Sequence, residues 1–473
     1  MTRNVVLICL DTVRKDYFDD YAPRLQELAS VSFEQCRAAS GWSTPSHASI
    51  LTGALPHQHG IHTHNRDFAD LSRSDTFLAD IPDHTALGAS ANVYASSTFG
   101  FDAVFDRYSD IAPHRRFPDG MDMEKFIQDR DEDGVRRYLE FLRAALRHDH
   151  TLESLGNGVL FKANDLFRRA PVPKVLDDGA SIVSSEGRSM VDSTEGPFFL
   201  FTNFMDAHGP VHHVLGYDRN LHSAPNDWTS FAFDDWEINI EGVSADHEQD
   251  IRYHRELYGA AIDYLDRTVA SFIAEIQRQT DRETTFVVTA DHGENLAYPE
   301  DDDLFGHTSS LTESLLHVPC YLINPPEGYE PTEPSYFSHL ELGDLIVGLA
   351  NDETPSLFRE RVPAELIGVS IGGPPGGPEE YRYWDRMLRC AYDGERKYVW
   401  DSLGASRKYE IDHERPCWQR RANNDDVAIP SWARAFFDVE IRAYKERAQA
   451  IETDTDQDVD ATVERRLEEL GYR

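Results

Sequence analysis

Three short apolar runs, each ending in an acid or a histidine, restrict what this 473-residue chain can fold into. Asn4–Leu10 (NVVLICL), 197–204 (PFFLFTNF) and Thr284–Thr289 (TTFVVT) are rich in β-branched and aromatic residues and lack polar alternation. That pattern belongs to strands buried on both faces, as inside a parallel sheet covered by helices. Asp11 follows the first run, Asp206 and His208 close the second, and Asp291, His292 and Glu294 close the third. In an open parallel sheet the carboxyl ends of the strands share one edge, and ligands bind there at the point where strand order reverses. An acid at such a strand end is costly to bury without a partner, so a purely structural role for Asp11, Asp291 and His292 is disfavoured.

Segment 41–53 (GWSTPSHASILTG) has the marks of a helix start. Pro45 suits the first helical position, Thr44 can cap in front of it, and Gly53 can end the helix after Ile50 and Leu51. Ser43 then lies where the helix dipole and free N–H groups favour an anion, whether a serine alkoxide or a bound sulfate or phosphate. Serine-rich caps are common by themselves. Carboxylates and imidazoles gathered beside this one make a metal-assisted hydrolase the leading reading.

Taken in order, LICLDTVRKD, WSTPSHASILTG, FMDAHGP, TADHGEN and FGHTSSLTESLLHVP resemble the sulfatase family of the alkaline phosphatase superfamily, and the resemblance runs on to AYDGERKYVW and the final RRLEELGYR. It implies an α/β fold: an alkaline-phosphatase-like mixed, mostly parallel sheet flanked by helices, with a small C-terminal antiparallel sheet subdomain. It also implies hydrolysis of small-molecule or glycan sulfate esters at one divalent metal ion, calcium in the family. Asp11, Asp291, His292 and Ser43 resemble the metal ligands. Ser43 further resembles the nucleophile, or the serine that is oxidised to formylglycine. His208 and His307 fall where sulfatases place cationic or proton-donating side chains. Asp206 either binds a second cation or caps the turn after it, Glu294 either orients His292 or stands on a surface helix, and Thr12 follows Asp11 in a supporting place.

The chain also departs from that pattern. Of the sulfatase C/S-x-P-S-R motif, Ser43, Pro45 and Ser46 match, and His47 replaces the arginine. His47 either takes over the arginine's hold on an anion, as a protonated imidazole can, or packs on the helix. Thr12 stands in place of the second aspartate of the sulfatase Asp-Asp pair, and His292 in place of the common asparagine. An imidazole ligand shifts the preference from calcium toward zinc or manganese. These changes bring in an alternative: a phosphodiester or phosphonate hydrolase, or a phosphoglycerol-type transferase, using unmodified Ser43. A non-catalytic binder of sulfated or phosphorylated glycans would lack one of Asp11, Ser43, Asp291 or His292, and all four are present.

With 84 acidic residues against 46 basic ones, the net charge is -38. The acid is spread along the chain, and only seven of the basic residues are lysine. A uniformly acidic, lysine-poor surface is expected of a halophilic, haloarchaeal-type protein working in molar salt, where self-repulsion is screened. Nothing basic is clustered enough to neutralise nucleic-acid phosphates or an anionic membrane. No apolar run approaches the length of a membrane span, and the three residues before the first strand leave no room for a signal core, so a cytoplasmic location is expected. Five scattered cysteines argue against a disulfide framework.

The expected organisation is a catalytic domain over 1–350, with a helical insertion at about 110–191 that roofs the site, followed by a small α+β subdomain over 351–435. An acidic segment and a charged C-terminal helix (461–470) complete 436–473. Periodicity predicts a long amphipathic helix over 256–277, a linker over 325–334, a helix over 340–349, and short strands over 381–411 with a turn at Asp393-Gly394.

Overall fold

The structure, a computed structural model, describes residues 2–112, 117, 120–121, 126, 135–167, 172–232, 234–307, 309–369, 376–423 and 426–455. Its main sheet contains β1 (Asn4–Leu10), β2 (Val31–Arg37), β3 (Thr85–Ser90), β4 (Arg107–Asp110), β5 (Phe198–Phe204) and β6 (Thr284–Thr289). After a two-stranded ribbon of β7 (Asn295–Leu296) and β8 (Phe305–Gly306), the chain adds β9 (Cys320–Ile323) and β10 (Thr332–Ser338). The order is β10-β2-β9-β6-β1-β5-β3-β4. Only β9 runs against its neighbours; the other pairings are parallel.

The three apolar runs are adjacent in this sheet. β1 lies between β5 and β6, with Leu7 level with Phe201 on one side and Val287 on the other. Every residue of β1, β5 and β6 is buried, because helices cover both faces. Side chains alternate between faces along a strand. On β5, Phe201 meets His47 of helix Ser43–Thr52, whereas Phe204 meets Phe272 of helix Glu248–Gln279. Helix Ala180–Asp192 shares the second face through Gly187, where a Cβ would lie 3.1 Å from the Phe272 ring. The continuous apolar runs are thus the consequence of a three-layered, helix-sheet-helix architecture.

The second sheet is antiparallel throughout: β11 (Pro363–Ile367), β12 (Met387–Tyr392), β13 (Arg396–Asp401), β14 (Ser406–Ile411) and β15 (Gln419–Arg421), paired in that order. Gly394, at φ +56°, turns the chain between β12 and β13 as the sequence predicted. A separate core of Ile367, Met387, Trp400, Phe437, Ile441 and Ala448 lies against it, with Leu55 contributed from behind helix Ser43–Thr52. Glu313 joins the two sheets. Its buried carboxylate pairs with Arg37 at the end of β2 (3.0 Å) and Lys397 of β13 (3.0 Å), and accepts from the Tyr392 hydroxyl (2.6 Å).

Several boundaries differ from the sequence reading for identifiable reasons. The helix predicted over 256–277 begins at Glu248, with acidic Glu248 and Asp250 in its first turn. β10 starts inside the segment expected as a linker, because an edge strand with an exposed first half carries little hydrophobic signal. Tyr381 belongs not to a strand but to helix Pro378–Trp384, which has proline at its first position. Within the span expected as an insertion, helices Val135–Ala145 and Thr151–Phe167 pack on one another, and Phe126, Phe141 and Ala145 form a small core of their own. Helix Ala180–Asp192 instead belongs to the main helical layer. Residues 452–455 continue helix Ile441–Thr455, while the predicted helix over 461–470 lies outside the described residues. Among the described residues no helix is long and apolar enough to cross a membrane.

Candidate active site

The carboxyl ends of β1 and β6 deliver Asp11, Asp291 and His292 to one buried point, where one ligand atom from each lies within 4.8 Å of the others. The two carboxylates share a pattern. Asp11 Oδ2 accepts from Asn92 Nδ2 (2.6 Å) and Asn203 Nδ2 (3.2 Å), and Asp291 Oδ1 accepts from the N–H groups of His292 (3.0 Å) and Thr12 (3.3 Å). Their other oxygens, Asp11 Oδ1 and Asp291 Oδ2, are buried without a hydrogen-bond partner. His292 donates from Nδ1 to the Gly293 carbonyl (2.8 Å), so Nε2 carries the lone pair, which accepts from the Ser43 hydroxyl (3.3 Å) and lies 3.4 Å from Asp291 Oδ2. Burial lowers the His292 pKa, which favours the neutral ring, the form that binds metal. Burial, and then the charge of Asp291, push Asp11 well above the usual carboxylate range. Two bare carboxylate oxygens and an imidazole lone pair in one dry site fit a divalent cation, which would offset that repulsion.

A backbone approach holds the second ligand loop in place. At Gly293 a Cβ would fall 2.0 Å from the Ser314 carbonyl oxygen, so only glycine fits between the two ligand-bearing turns and helix Glu313–Leu316. Its N–H donates to the Leu315 carbonyl (2.8 Å).

Ser43 opens helix Ser43–Thr52, and its Oγ accepts from Asn92 Nδ2 (3.0 Å) and stands 3.3 Å from His292 Nε2. The predicted Thr44 cap does not form. Trp42 is the N-cap, no side chain caps the helix, and Thr44 Oγ1 is buried without a partner. Pro45 therefore sits at the third helical position, two further in than expected, where its missing N–H is still among those with no helical acceptor. Gly53 ends the helix at φ +66°, as predicted.

His47 is turned into the fold. One helical turn after Ser43, it donates from Nδ1 to the Ser43 carbonyl (2.8 Å), and its Nε2 accepts from Asn203 Nδ2 (3.2 Å). Phe101 and Phe201 meet its ring edge-on. Burial lowers its pKa despite the pull of Asp291, 3.6 Å away. Both ring nitrogens are thus engaged, and Nε2 orients Asn203.

The remaining histidines divide into two states. His307 Nδ1 pairs with Glu294 at 3.1 Å, and although burial opposes the charged form, that carboxylate raises the His307 pKa. His208, whose ring lies 5.1 Å from His307, is lowered to about 4 by burial and by that neighbouring charge. The His292 ring is 5.0 Å from His307 on another side. His307 is thus the histidine of the group whose charged form is favoured, with Glu294 as its counter-ion, and the candidate proton donor. Glu294 contacts His307 and not His292 Nδ1, which is satisfied by the backbone.

Asp206 stands apart from the cluster. Its two oxygens accept the N–H groups of Asp178 and Ala180 (both 3.0 Å), so it caps helix Ala180–Asp192 and not the turn that follows it. Thr12 lies beside the cluster and contributes its N–H to Asp291. Asn92 and Asn203 were not found from sequence. Asn92 lies two residues after a strand of small residues (TALGAS) that lacks a strong apolar run, and Asn203 is a polar residue within PFFLFTNF.

A mostly parallel sheet with acids, imidazoles and a helix-start serine at its carboxyl edge is followed by a small antiparallel sheet. The sequence profile of the Sulfatase family matches residues 3–352, and the chain belongs to the sulfatase family. No curated protein matches it. Among solved structures it is similar to a putative sulfatase from Bacteroides thetaiotaomicron (13% identity, 98% of this chain and 96% of that one covered, TM-score 0.56). It is also similar to the phosphonate monoester hydrolase of Silicibacter pomeroyi (16% identity, 84% and 87% covered, TM-score 0.55). A third similar structure is a protein in complex with its substrate D-glucosamine-2-N,6-O-disulfate (12% identity, 96% and 99% covered, TM-score 0.54).

Proposed function

We propose that this chain is a metal-dependent hydrolase of sulfate esters, with Asp11, Asp291, His292 and Ser43 around one divalent cation and Ser43 as the attacking residue. The observation that carries it is the place of Ser43 Oγ, 3.3 Å from His292 Nε2, beside two carboxylates that each turn a bare oxygen into the same dry point. Zinc or manganese suits a mixed nitrogen and oxygen donor set better than calcium does. When bound, the metal supplies charge stabilisation for an in-line displacement at sulfur. Ser43 supplies the nucleophilic oxygen, positioned at the helix start by the strand ends around it. His307, kept protonated by Glu294, gives its proton to the departing oxygen. The substrate is a small-molecule or glycan ester, in line with the family.

A second reading keeps the same residues and changes the ester: unmodified Ser43 cleaving a phosphodiester or phosphonate. It is favoured by His47, which is turned into the fold and leaves the C/S-x-P-S-R motif without its cation. Peptide mass analysis of protein from its native host, paired with rates on p-nitrophenyl sulfate and p-nitrophenyl phenylphosphonate in high salt, separates the two. Loss of two hydrogens at Ser43 with sulfate turnover supports formylglycine chemistry. An intact serine with phosphonate turnover supports the second reading. Ser43→Ala should abolish either activity, and near-normal turnover in that variant would sink both.

A further inference from the structure

We propose that Asn92 is a catalytic residue: one of its amide N–H groups holds Ser43 Oγ and stabilises the charge this oxygen carries when it attacks and again when it leaves. The inference rests on the reading above that Ser43 reacts through Oγ.

The amide is oriented by its surroundings. Asn92 follows β3, is 2% exposed, and accepts the Tyr94 N–H on Oδ1 at 2.8 Å, a short turn closed by the side chain. Ser90 Oγ accepts the Asn92 backbone N–H at 3.1 Å from the strand side. An N–H can be satisfied only by the oxygen of the amide, so Tyr94 fixes which end is Oδ1 and turns Nδ2 toward the cluster. Nδ2 carries two hydrogens, and the structure uses both: one for Asp11 Oδ2 at 2.6 Å and one for Ser43 Oγ at 3.0 Å. Asn203 provides the contrast. It too donates to Asp11 Oδ2, but its second hydrogen goes to His47 Nε2, so it positions a neighbour and does not touch the reacting atom.

A neutral amide has a specific advantage here. Asp11 and Asp291 already crowd the site with negative charge, and a donor without charge stabilises an oxyanion at Oγ while keeping the affinity for a cation intact. In the first step the hydroxyl proton of Ser43 passes to bulk water, Oγ bonds to the central sulfur or phosphorus, and the bond to the departing oxygen breaks as that oxygen takes the His307 proton. In the second step a water oxygen bonds to the centre, its proton returns to His307, and the bond to Oγ breaks. Oγ then regains a proton from bulk water. Oγ bears negative charge at the start of the first step and the end of the second, and the Asn92 N–H faces it in both.

The test compares Asn92→Ala and Asn92→Ser with the parent enzyme. Serine keeps an oxygen able to close the local turn but cannot reach Ser43, which guards against simple misfolding. The measurements are kcat and KM on p-nitrophenyl sulfate and p-nitrophenyl phenylphosphonate, bound metal per chain, thermal midpoint, and rapid-quench intact mass. Both variants should lose about 100-fold in kcat, the effect of removing one oxyanion donor, while KM changes less than about threefold. Bound metal and thermal midpoint should hold, and a covalent adduct on Ser43 should accumulate because Oγ has become a poorer leaving group. Turnover within about threefold of the parent would overturn the proposal. So would a loss that tracks lost metal and is restored by excess metal, since Asn92 would then act only through Asp11. An active Ser43→Ala would instead remove the reading beneath, a result distinguishable from either.

Discussion

Thr12 adopts φ +61°, in the left-handed region that β-branched residues seldom enter. The conformation has a use: it aims the Thr12 N–H at Asp291 Oδ1 immediately after Asp11 leaves β1. Such a backbone costs about 1–3 kcal/mol and persists only when its surroundings hold it. Tyr258, on helix Glu248–Gln279, is the brace. Its hydroxyl donates to the Thr12 carbonyl (2.6 Å) and accepts the Arg14 N–H (3.0 Å), while the Arg14 guanidinium reaches the Glu294 carbonyl (3.2 Å) and the Asp301 carboxylate (3.2 Å). Tyr258→Phe should destabilise the protein by about 1–3 kcal/mol, the cost of leaving buried backbone groups unpaired, and should weaken divalent-cation binding. Thermal unfolding and metal titration check this. An unchanged melting point together with unchanged metal affinity would show that the turn holds without the brace.

At the scale of elements, residues near the two ends of the chain meet. Asp385, just after helix Pro378–Trp384, is paired with Lys445 (2.7 Å) and with His64 (3.1 Å), and accepts from Gln449 (2.7 Å). Helix Ile441–Thr455 is thereby anchored both to its own sheet and to the catalytic part through His64. Burial alone would raise the Asp385 pKa, but the His64 hydrogen bond and the Lys445 charge outweigh it and bring it down to about 2. A depressed carboxylate contributes stability that is complete above its unfolded pKa near 4 and is lost as pH falls toward 2. The size is about 2.5 kcal/mol, at roughly 1.4 kcal/mol per pKa unit. Asp385→Asn should therefore lower stability at neutral pH by about that much and flatten its fall between about pH 4 and 2. Denaturant unfolding across this range checks it, and a variant with the same acid profile as the parent would refute the assignment.

For the whole molecule, charge is the governing quantity. A net charge of -38 on one chain repels itself strongly in dilute buffer, and raising salt from about 0.1 M to 1 M shortens the screening length from about 10 Å to 3 Å. The melting temperature should rise with KCl over that range. A flat or falling dependence would reject the idea that the acidic surface is an adaptation to salt.

What could be read from sequence was whatever carries a periodic or punctuating signal. β1, β5 and β6 announced themselves as apolar runs, and their acids and histidines at the carboxyl ends marked the edge where Asp11, Asp291, His292 and Ser43 meet. Gly53 and Gly394 marked a helix stop and a turn because each takes a left-handed backbone. The roles that depend on distance between remote segments stayed hidden. Asn92 and Asn203 look like ordinary polar residues until β3 and β5 come together beside β1, and His47 reads as a possible anion holder until its two nitrogens are seen engaged within the fold. Asp206 carries the same strand-end signal as Asp11, yet it caps a helix, because only the tertiary structure decides which backbone N–H groups stand opposite it. A linear pattern determines which residues reach an edge; hydrogen-bond geometry in three dimensions decides which of them are left with a bare atom for a ligand.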